Sequence, residues 1–350
     1  MLKKNEKKGL IIYLGTVFGI TLLMGFLVRA AFRNNQPVSS YASVQMLYPA
    51  MGVIIAVFFT HKALFQKMKR IYLSYLIAGA VCIIALVLYT LSGSSFFTEV
   101  IFYAGTIGSL LMFLWIFLMD SPMRKACGFG LGNKNIRTFI KYVILFFGFR
   151  IMYWVVSIAY LFLIGELTFS DLSQMIHSAP SIAAVFLVKL FLLIPGFFLN
   201  FMCFWGEEYG WRYFLQPLLQ KRYGICKGLV LVGVIWAVWH LPLTLYYYSP
   251  ETPAQEMVYR IVFCICLSFV MGYFYMKLNS IWLPVTMHFF NNGMGSLFAN
   301  STEVSQASGS IISWSDVAVA SIIMLVLTIP FFVLCHRMKE KFVRSPKLCE

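Results

Sequence analysis

The sequence has little charge and no long polar stretch. Of its 350 residues, 12% are charged and 60% are hydrophobic, and the mean hydropathy is +0.80. A separate soluble domain is therefore excluded, because no segment is polar enough to form one. Apolar runs of about 20 residues, the length of a bilayer-spanning helix, recur along the chain instead. The sequence predicts an all-α, polytopic transmembrane bundle.

Acidic residues are scarce: the chain has 13 Asp and Glu against 28 Lys and Arg, a net charge of +15. A nucleic-acid partner is nevertheless not predicted, because most basic residues fall in alternate loops, as the positive-inside rule requires of cytoplasmic segments. Both termini are then cytoplasmic in the cell membrane. The pattern gives about ten spans, near residues 10–31, 42–60, 71–91, 98–119, 142–164, 182–205, 228–246, 259–276, 281–299 and 315–335.

The first apolar run, Leu10 to Ala31, is too long for the core of a signal peptide, so we expect it to be retained as a span. The run from Ile182 to Leu219 is too long for one straight span. Pro195 and Gly196 predict a kink within it. One kinked crossing keeps the charge pattern on both sides.

Metal-binding and redox motifs are lacking. The eight cysteines form no CxxC pair and no Cys/His spacing typical of metal sites, which favours reduced thiols. No HExxH occurs either. No cofactor is predicted on this ground.

Against this background, the segment from Glu207 to Arg212 concentrates ionisable residues in an apolar chain. Two adjacent carboxylates cost several kcal/mol in a membrane unless they are paired or functional. Glu208 and Arg212 are four residues apart and share a helix face, so they form the expected pair. Glu207 points away from that pair and remains free for chemistry.

Two later segments add polar groups. His240 lies two residues before Pro242, which opens the backbone ladder, and His288 and Asn292 share a helix face. The first half of the chain has only Arg150 as a comparable intrusion. Arg150 is expected to snorkel to the interface or to pair internally. The polar groups around Glu207, His240 and His288 predict one buried site lined by three helices.

Such a set supports hydrolysis. A carboxylate can take a proton from water beside an imidazole, and an imidazole and a carboxamide one turn apart can donate to an oxyanion. Burial would raise the proton affinity of the carboxylate toward that of an effective general base at neutral pH. Each motif alone is also explained by structure: a buried Glu–Arg pair braces helices, and His or Asn side chains join them.

Together, three motifs resemble the signatures of the CPBP family, which comprises type II CAAX prenyl endopeptidases and bacteriocin-processing or self-immunity (Abi) proteins. They are Glu207-Glu208-x-x-x-Arg212, Trp236-x-x-x-His240 and His288-x-x-x-Asn292, and the match covers about residues 195–295. The chain departs from the family at Trp236, where Phe is usual. We therefore expect a bulkier wall on the cavity of the site.

The resemblance implies an intramembrane endopeptidase in which Glu207 activates water and His240 assists. His288 and Asn292 then form the oxyanion site. Glu208 and Arg212 are structural or orient Glu207. Two histidines and a glutamate would in principle also bind zinc, but a metal-free glutamate mechanism fits these residues better.

The resemblance divides the chain into an N-terminal transmembrane region of unknown role (1–181), a catalytic helical core (182–300), and an external loop with the last span and basic tail (301–350). The expected partners are the bilayer and a hydrophobic or lipidated peptide or protein. One alternative is a non-catalytic immunity or scaffold protein that binds a bacteriocin-like peptide. A transporter is the other, although paired halves with matched broken helices are missing.

Overall fold

The computed structural model describes residues 2–130, 136–171, 173, 179–298 and 311–338. These residues are helical almost throughout, and no β-strand occurs among them. The α-helices are α1 Lys4–Arg33, α2 Ser39–Gln45, α3 Tyr48–Thr60, α4 Lys62–Lys67, α5 Lys69–Ser92, α6 Phe96–Leu118, α7 Ser121–Ala126, α8 Ile136–Leu163, α9 Ala179–Leu199, α10 Phe201–Glu208, α11 Gln216–Tyr223, α12 Ile225–Trp239, α13 Leu241–Leu243, α14 Pro253–Leu278, α15 Trp282–Phe298 and α16 Trp314–His336.

Two short π-helices interrupt this series. Tyr209–Leu215 continues α10 into α11, and Thr244–Tyr248 follows α13. The first follows Glu208 directly and contains Arg212, and the second begins four residues after His240. Single π turns inside α-helices are rare and occur frequently at functional sites.

The predicted polytopic all-α architecture is confirmed. Among the residues that the structure describes, seven helices are long and apolar enough to cross a membrane, and the number rises to nine if each of two bent helix pairs counts as one span. Their outer faces present large apolar side chains such as Phe26, Leu91 and Phe117, as lipid-facing surfaces do. The segment predicted at 281–299 is α15, whose 17 residues fall short of the usual spanning length of about 20.

The first bent pair corrects the predicted position of the kink. Pro195 lies inside α9, and the chain turns by 67° at Asn200, between α9 and the helix that follows. The Asn200 side chain donates through Nδ2 to the carbonyl of Gly196 at 3.0 Å, and its backbone N–H donates to the same oxygen. A side-chain amide that competes for a backbone carbonyl favours the end of a helix, so Asn200 breaks the helix where Pro195 does not.

The second bend, of 45°, lies at His240 between α12 and α13. Pro242 is in the first turn of α13 and supplies no backbone N–H. The prediction that Pro242 opens the backbone ladder beside His240 agrees with this bend. His240 is therefore held at a break rather than in a continuous helix.

The helix carrying Glu207 and Glu208 lies in the centre of the bundle. Every residue from Phe204 to Gln220 is buried. Helices from the N-terminal half surround it: the ring of Tyr13 in α1 packs edge-on against Trp211, and the hydroxyls of Tyr72 in α5 and Tyr209 are 2.6 Å apart. The N-terminal spans are thus part of the packing that holds the motif in place.

Candidate active site

Glu207 is held at one carboxylate oxygen by two tryptophans. Its Oε2 accepts a hydrogen bond from Nε1 of Trp211 at 3.2 Å and another from Nε1 of Trp236 at 2.8 Å. The residue is only 3% exposed. Oε1 has no hydrogen-bond partner in the part of the chain that the structure describes. Two neutral donors therefore orient the carboxylate and leave one oxygen for chemistry.

Glu208 lies between a cation and an imidazole. Its Oε2 is 3.3 Å from Nε of Arg212, and its Oε1 is 2.8 Å from Nδ1 of His288. The side chains of Glu208 and Arg212 are fully buried. The Nε–H of Arg212 does not point well at the carboxylate, so the contact is an ion pair rather than an aligned hydrogen bond. The predicted pairing of Glu208 with Arg212 is present.

Arg212 is also fixed by aromatic and sulfur contacts. Its guanidinium carbon lies 4.6 Å from the ring centroid of Trp236, and Nη2 is 3.5 Å from Sδ of Met271. A guanidinium over an indole face is a favourable cation–π arrangement. Trp236 thus contacts Arg212 with its ring face and Glu207 with its ring N–H. The indole joins the two charged parts of the site.

His240 reaches the same tryptophan through the backbone. Its Nδ1 is 2.8 Å from the carbonyl oxygen of Trp236, one helical turn earlier. Since a carbonyl only accepts, Nδ1 carries the proton and Nε2 of a neutral ring is left as an acceptor. The ring is buried and packs against Trp239 and Tyr248, with centroid distances of 4.8 and 6.1 Å. This tautomer suits a residue that receives a proton at Nε2.

His288 and Asn292 lie one turn apart on α15 but have different surroundings. The His288 ring is buried between Phe204 and Trp236, with centroid distances of 5.4 and 5.7 Å. Asn292 is exposed, and its Oδ1 accepts from Nδ2 of Asn291 at 3.1 Å. The structure therefore brings His288 into the cluster with Glu208, and it places Asn292 at its edge.

Sequence reasoning identified the charged and imidazole groups but not the donors to Glu207. Trp211 is four residues after Glu207, so their shared helix face was available as a signal. The bond from Trp236 joins positions 29 residues apart, and sequence spacing contains no signal for it. The family resemblance predicts Trp236 only as a bulkier cavity wall. Its indole N–H in fact donates a hydrogen bond to Glu207, which a Phe side chain could not do.

The same residues do not form a metal site in the described part of the chain. Within the described ranges, no three His, Cys, Asp or Glu side chains are grouped closely enough to hold an ion. The acidic and imidazole groups bond instead to Arg212, to indoles and to a backbone carbonyl. What the arrangement offers is a positioned carboxylate, an imidazole whose Nδ1 bonds to a backbone carbonyl and a second imidazole bound to a buried carboxylate, which are parts suited to acid–base catalysis.

Comparison with known proteins supports the resemblance found in the motifs. Residues 172–294 match the family described as Rce1-like, type II CAAX prenyl endopeptidase. A segment of 50 residues is 40% identical to a protein named CAAX prenyl protease 2 from Methanococcus maripaludis, and it covers 14% of this chain and 18% of that relative. No solved structure matches the chain significantly. The family resemblance is confirmed, and residues 172–294 contain all six predicted site residues.

Proposed function

Because residues 172–294 are similar to Rce1-like type II CAAX prenyl endopeptidases, we propose that this chain is a glutamate-dependent intramembrane endopeptidase. Its substrate would be a hydrophobic or lipidated peptide or protein, cut within or close to the membrane. The observation that carries the proposal is Glu207: a buried carboxylate with one oxygen fixed by two indoles and the other without a partner in the described chain.

In this mechanism Oε1 of Glu207 takes a proton from water. The water oxygen bonds to the scissile carbonyl carbon as its O–H bond breaks, and His240 holds the water or relays the proton through Nε2. The C–N bond then breaks, and the proton goes to the leaving amine. General acid–base assistance of this kind contributes about 10²- to 10⁴-fold in rate.

The oxyanion formed on the carbonyl needs donors. His288 is bound through Nδ1 to Glu208, which leaves its Nε2 edge for the reacting group, and the carboxamide of Asn292 is the second predicted donor. A carboxylate behind an imidazole fixes its orientation and favours its protonated form. Glu208 and Arg212 act in this scheme as positioning residues, because both are buried and already paired with each other.

The topology completes the proposal. Both termini lie in the cytoplasm and residues 182–300 form the catalytic core. Cysteine-accessibility labelling at Asn5 and at an exposed position such as Ser94, in intact cells, tests the orientation. Labelling of Asn5→Cys only after permeabilisation, with Ser94→Cys labelled beforehand, is expected; the reverse order would place the termini outside.

The proteolysis itself is tested by mapping new peptide termini in native membranes of cells that express wild type or Glu207→Gln. Gln keeps an oxygen that can accept both indole bonds but cannot serve as a base. Glu251→Gln is the matched control, since Glu251 is an exposed carboxylate outside the site. Termini present with wild type and Glu251→Gln and missing with Glu207→Gln support the proposal. Identical maps at matched abundance would favour a non-catalytic binding role.

A purified assay complements the mapping. The probe peptide is a synthetic, fluorophore-labelled peptide that ends in an S-prenylated cysteine followed by two aliphatic residues and one variable last residue, the arrangement that defines a CAAX prenylation box. Cleavage after the cysteine by wild type in lipid nanodiscs, and its loss in Glu207→Gln, is the expected result.

A further inference from the structure

Arg150 is a buried cation that has no ion pair among the residues that the structure describes. It is 7% exposed, and its Nε and Nη1 have no hydrogen-bond partner among the residues that the structure describes. Pairing with a carboxylate is not found among the described residues, and snorkelling to the interface stays a prediction. Its guanidinium carbon lies 5.3 Å from the ring centroid of Tyr153 and 5.6 Å from that of Phe263. Ring faces offset only part of the cost of burying a charge.

The depth of Arg150 limits what can neutralise it. Arg150 is in the middle of the 28-residue α8, roughly 20 Å along the axis from either end at 1.5 Å per residue. The hydrocarbon core of a bilayer is about 30 Å thick. A lipid phosphate stays near the surface of that core, so it does not reach this position. An anion that is not among the described residues would therefore have to be on a molecule that enters the membrane interior.

The surroundings of Arg150 connect it to the candidate site. One turn before it, Phe147 packs against Phe290 of α15 at a centroid distance of 4.7 Å. Phe290 lies two residues after His288 and directly before Asn291, whose Oδ1 is also buried without a partner in the described chain. Arg150 is thus about one turn from the contact between α8 and the helix that carries His288.

On the other side, Arg150 faces α14. The hydroxyls of Tyr153 and Tyr259 are 3.5 Å apart, and the next residue, Arg260, has its guanidinium carbon 4.2 Å above the ring of Tyr248. That ring packs against His240. Two of the helices that pack against α8 are therefore also close to the imidazoles of the site: α15 carries His288, and α14 reaches the Tyr248 ring beside His240. A peptide bound at the site and extending between these helices would pass Arg150.

We propose that Arg150 binds a carboxylate of the peptide substrate, either its free C-terminal carboxylate or an acidic side chain close to the cleaved bond. This inference rests on the proposed endopeptidase function. A guanidinium with free N–H groups is the side chain best suited to a carboxylate, and a charge-assisted hydrogen bond is about twice as strong as a neutral one. Substrate binding then supplies the anion that the chain itself does not provide among its described residues.

The test measures binding separately from cleavage. The Glu207→Gln protein in nanodiscs is titrated with three forms of the probe peptide: a free C-terminal carboxylate, a C-terminal amide, and an amide with one Glu among the last three residues. The same titrations are repeated with three double variants, in which Arg150→Met, Arg150→Lys or Arg33→Met is combined with Glu207→Gln. Arg33 is the matched control, because it is an exposed arginine at the end of α1.

At least one carboxylate form is expected to bind about tenfold more tightly than the neutral amide. The form that does so identifies the source of the carboxylate. The preference should disappear in Arg150→Met, be partly retained in Arg150→Lys and be unchanged in Arg33→Met. Equal binding of the three peptides, no binding of any, or a preference that survives in Arg150→Met would overturn the inference.

A stability measurement separates the inference from a structural role. Arg150→Met removes a buried, unpaired charge, so its melting temperature should equal or exceed that of the parent. A lower melting temperature would mean that Arg150 pairs within the chain. Cleavage of the same peptides by protein with Glu207 intact is measured in parallel. Cleavage without a preference for the carboxylate peptides would refute this inference alone. Selective binding of those peptides without cleavage would refute the proposed proteolysis alone.

Discussion

The indole N–H of Trp236 donates to Oε2 of Glu207 at 2.8 Å, while the face of the same ring lies 4.6 Å from the guanidinium carbon of Arg212. One side chain from α12 therefore sets the orientation of the proposed base and of the ion pair next to it. This contact exists because Trp stands where the family resemblance implies Phe.

Trp236→Phe tests that contact. Phe keeps a ring face for Arg212 but removes the donor to Glu207, so we expect turnover of the probe peptide to fall about tenfold or more, the worth of one hydrogen bond to a charged group. Trp205→Phe is the control: Trp205 is fully buried on the same helix as Glu207, and its indole N–H has no partner among the described residues. Equal effects of the two substitutions would mean that ring volume, not the hydrogen bond, matters.

Arg212→Met tests the buried ion pair. It removes the cation beside the fully buried Glu208 and leaves this carboxylate only its contact with His288, so the free energy of unfolding should fall by about 3–5 kcal/mol. Arg212→Lys should not restore it, since an ammonium does not reproduce the planar contact with Trp236.

The comparison for this variant is Lys221→Met. Lys221 pairs with Glu6 at 2.8 Å, but its side chain is 25% exposed. Because this pair is partly exposed to solvent, its removal should cost less, about 0–1 kcal/mol. Reversible unfolding in detergent with increasing denaturant measures both variants, and a loss at Arg212 no larger than at Lys221 would contradict the prediction.

Much of the fold could be predicted from the sequence, because apolar run length and the distribution of Lys and Arg are local signals of spanning helices. The pairing of Glu208 with Arg212 follows from their four-residue spacing in the same way. The bend at Asn200 was misplaced to Pro195, because a proline inside a membrane helix can be accommodated by neighbouring groups, and a competing amide is not visible in hydropathy.

Long-range contacts could not be predicted. His288 was paired with Asn292 from their spacing, yet its Nδ1 bonds to Glu208, 80 positions away in the chain. The contribution of the N-terminal half was equally hidden, since Tyr13 and Tyr72 meet the central helix only through the packing of whole spans. Spacing reports which residues share a helix face, and it does not report which helices become neighbours.

Gly210→Ala tests how closely the N-terminal half approaches the central helix. A Cβ on Gly210 would overlap the Pro49 side chain of α3, and the Pro49 backbone cannot move aside easily. We expect a loss of about 1–3 kcal/mol in stability, as for other overpacked cores. Gly15→Ala is the matched control, because nothing lies within 4 Å of a Cβ there and Gly15 is exposed on α1. The melting temperatures of the two variants measure the difference, and equal values would refute it.

Asn292→Ala tests the assignment of the oxyanion site. If the carboxamide donates to the developing negative charge, its removal should lower kcat for the probe peptide by about 10²- to 10³-fold with little change in KM. Asn292 is exposed and contacts Asn291 through Oδ1, so the melting temperature should hardly change. Asn291→Ala removes the donor to that oxygen while keeping the carboxamide of Asn292, and it should have a much smaller effect. Wild-type kcat in Asn292→Ala would leave His288, held by Glu208 at 2.8 Å, as the donor on this side of the site.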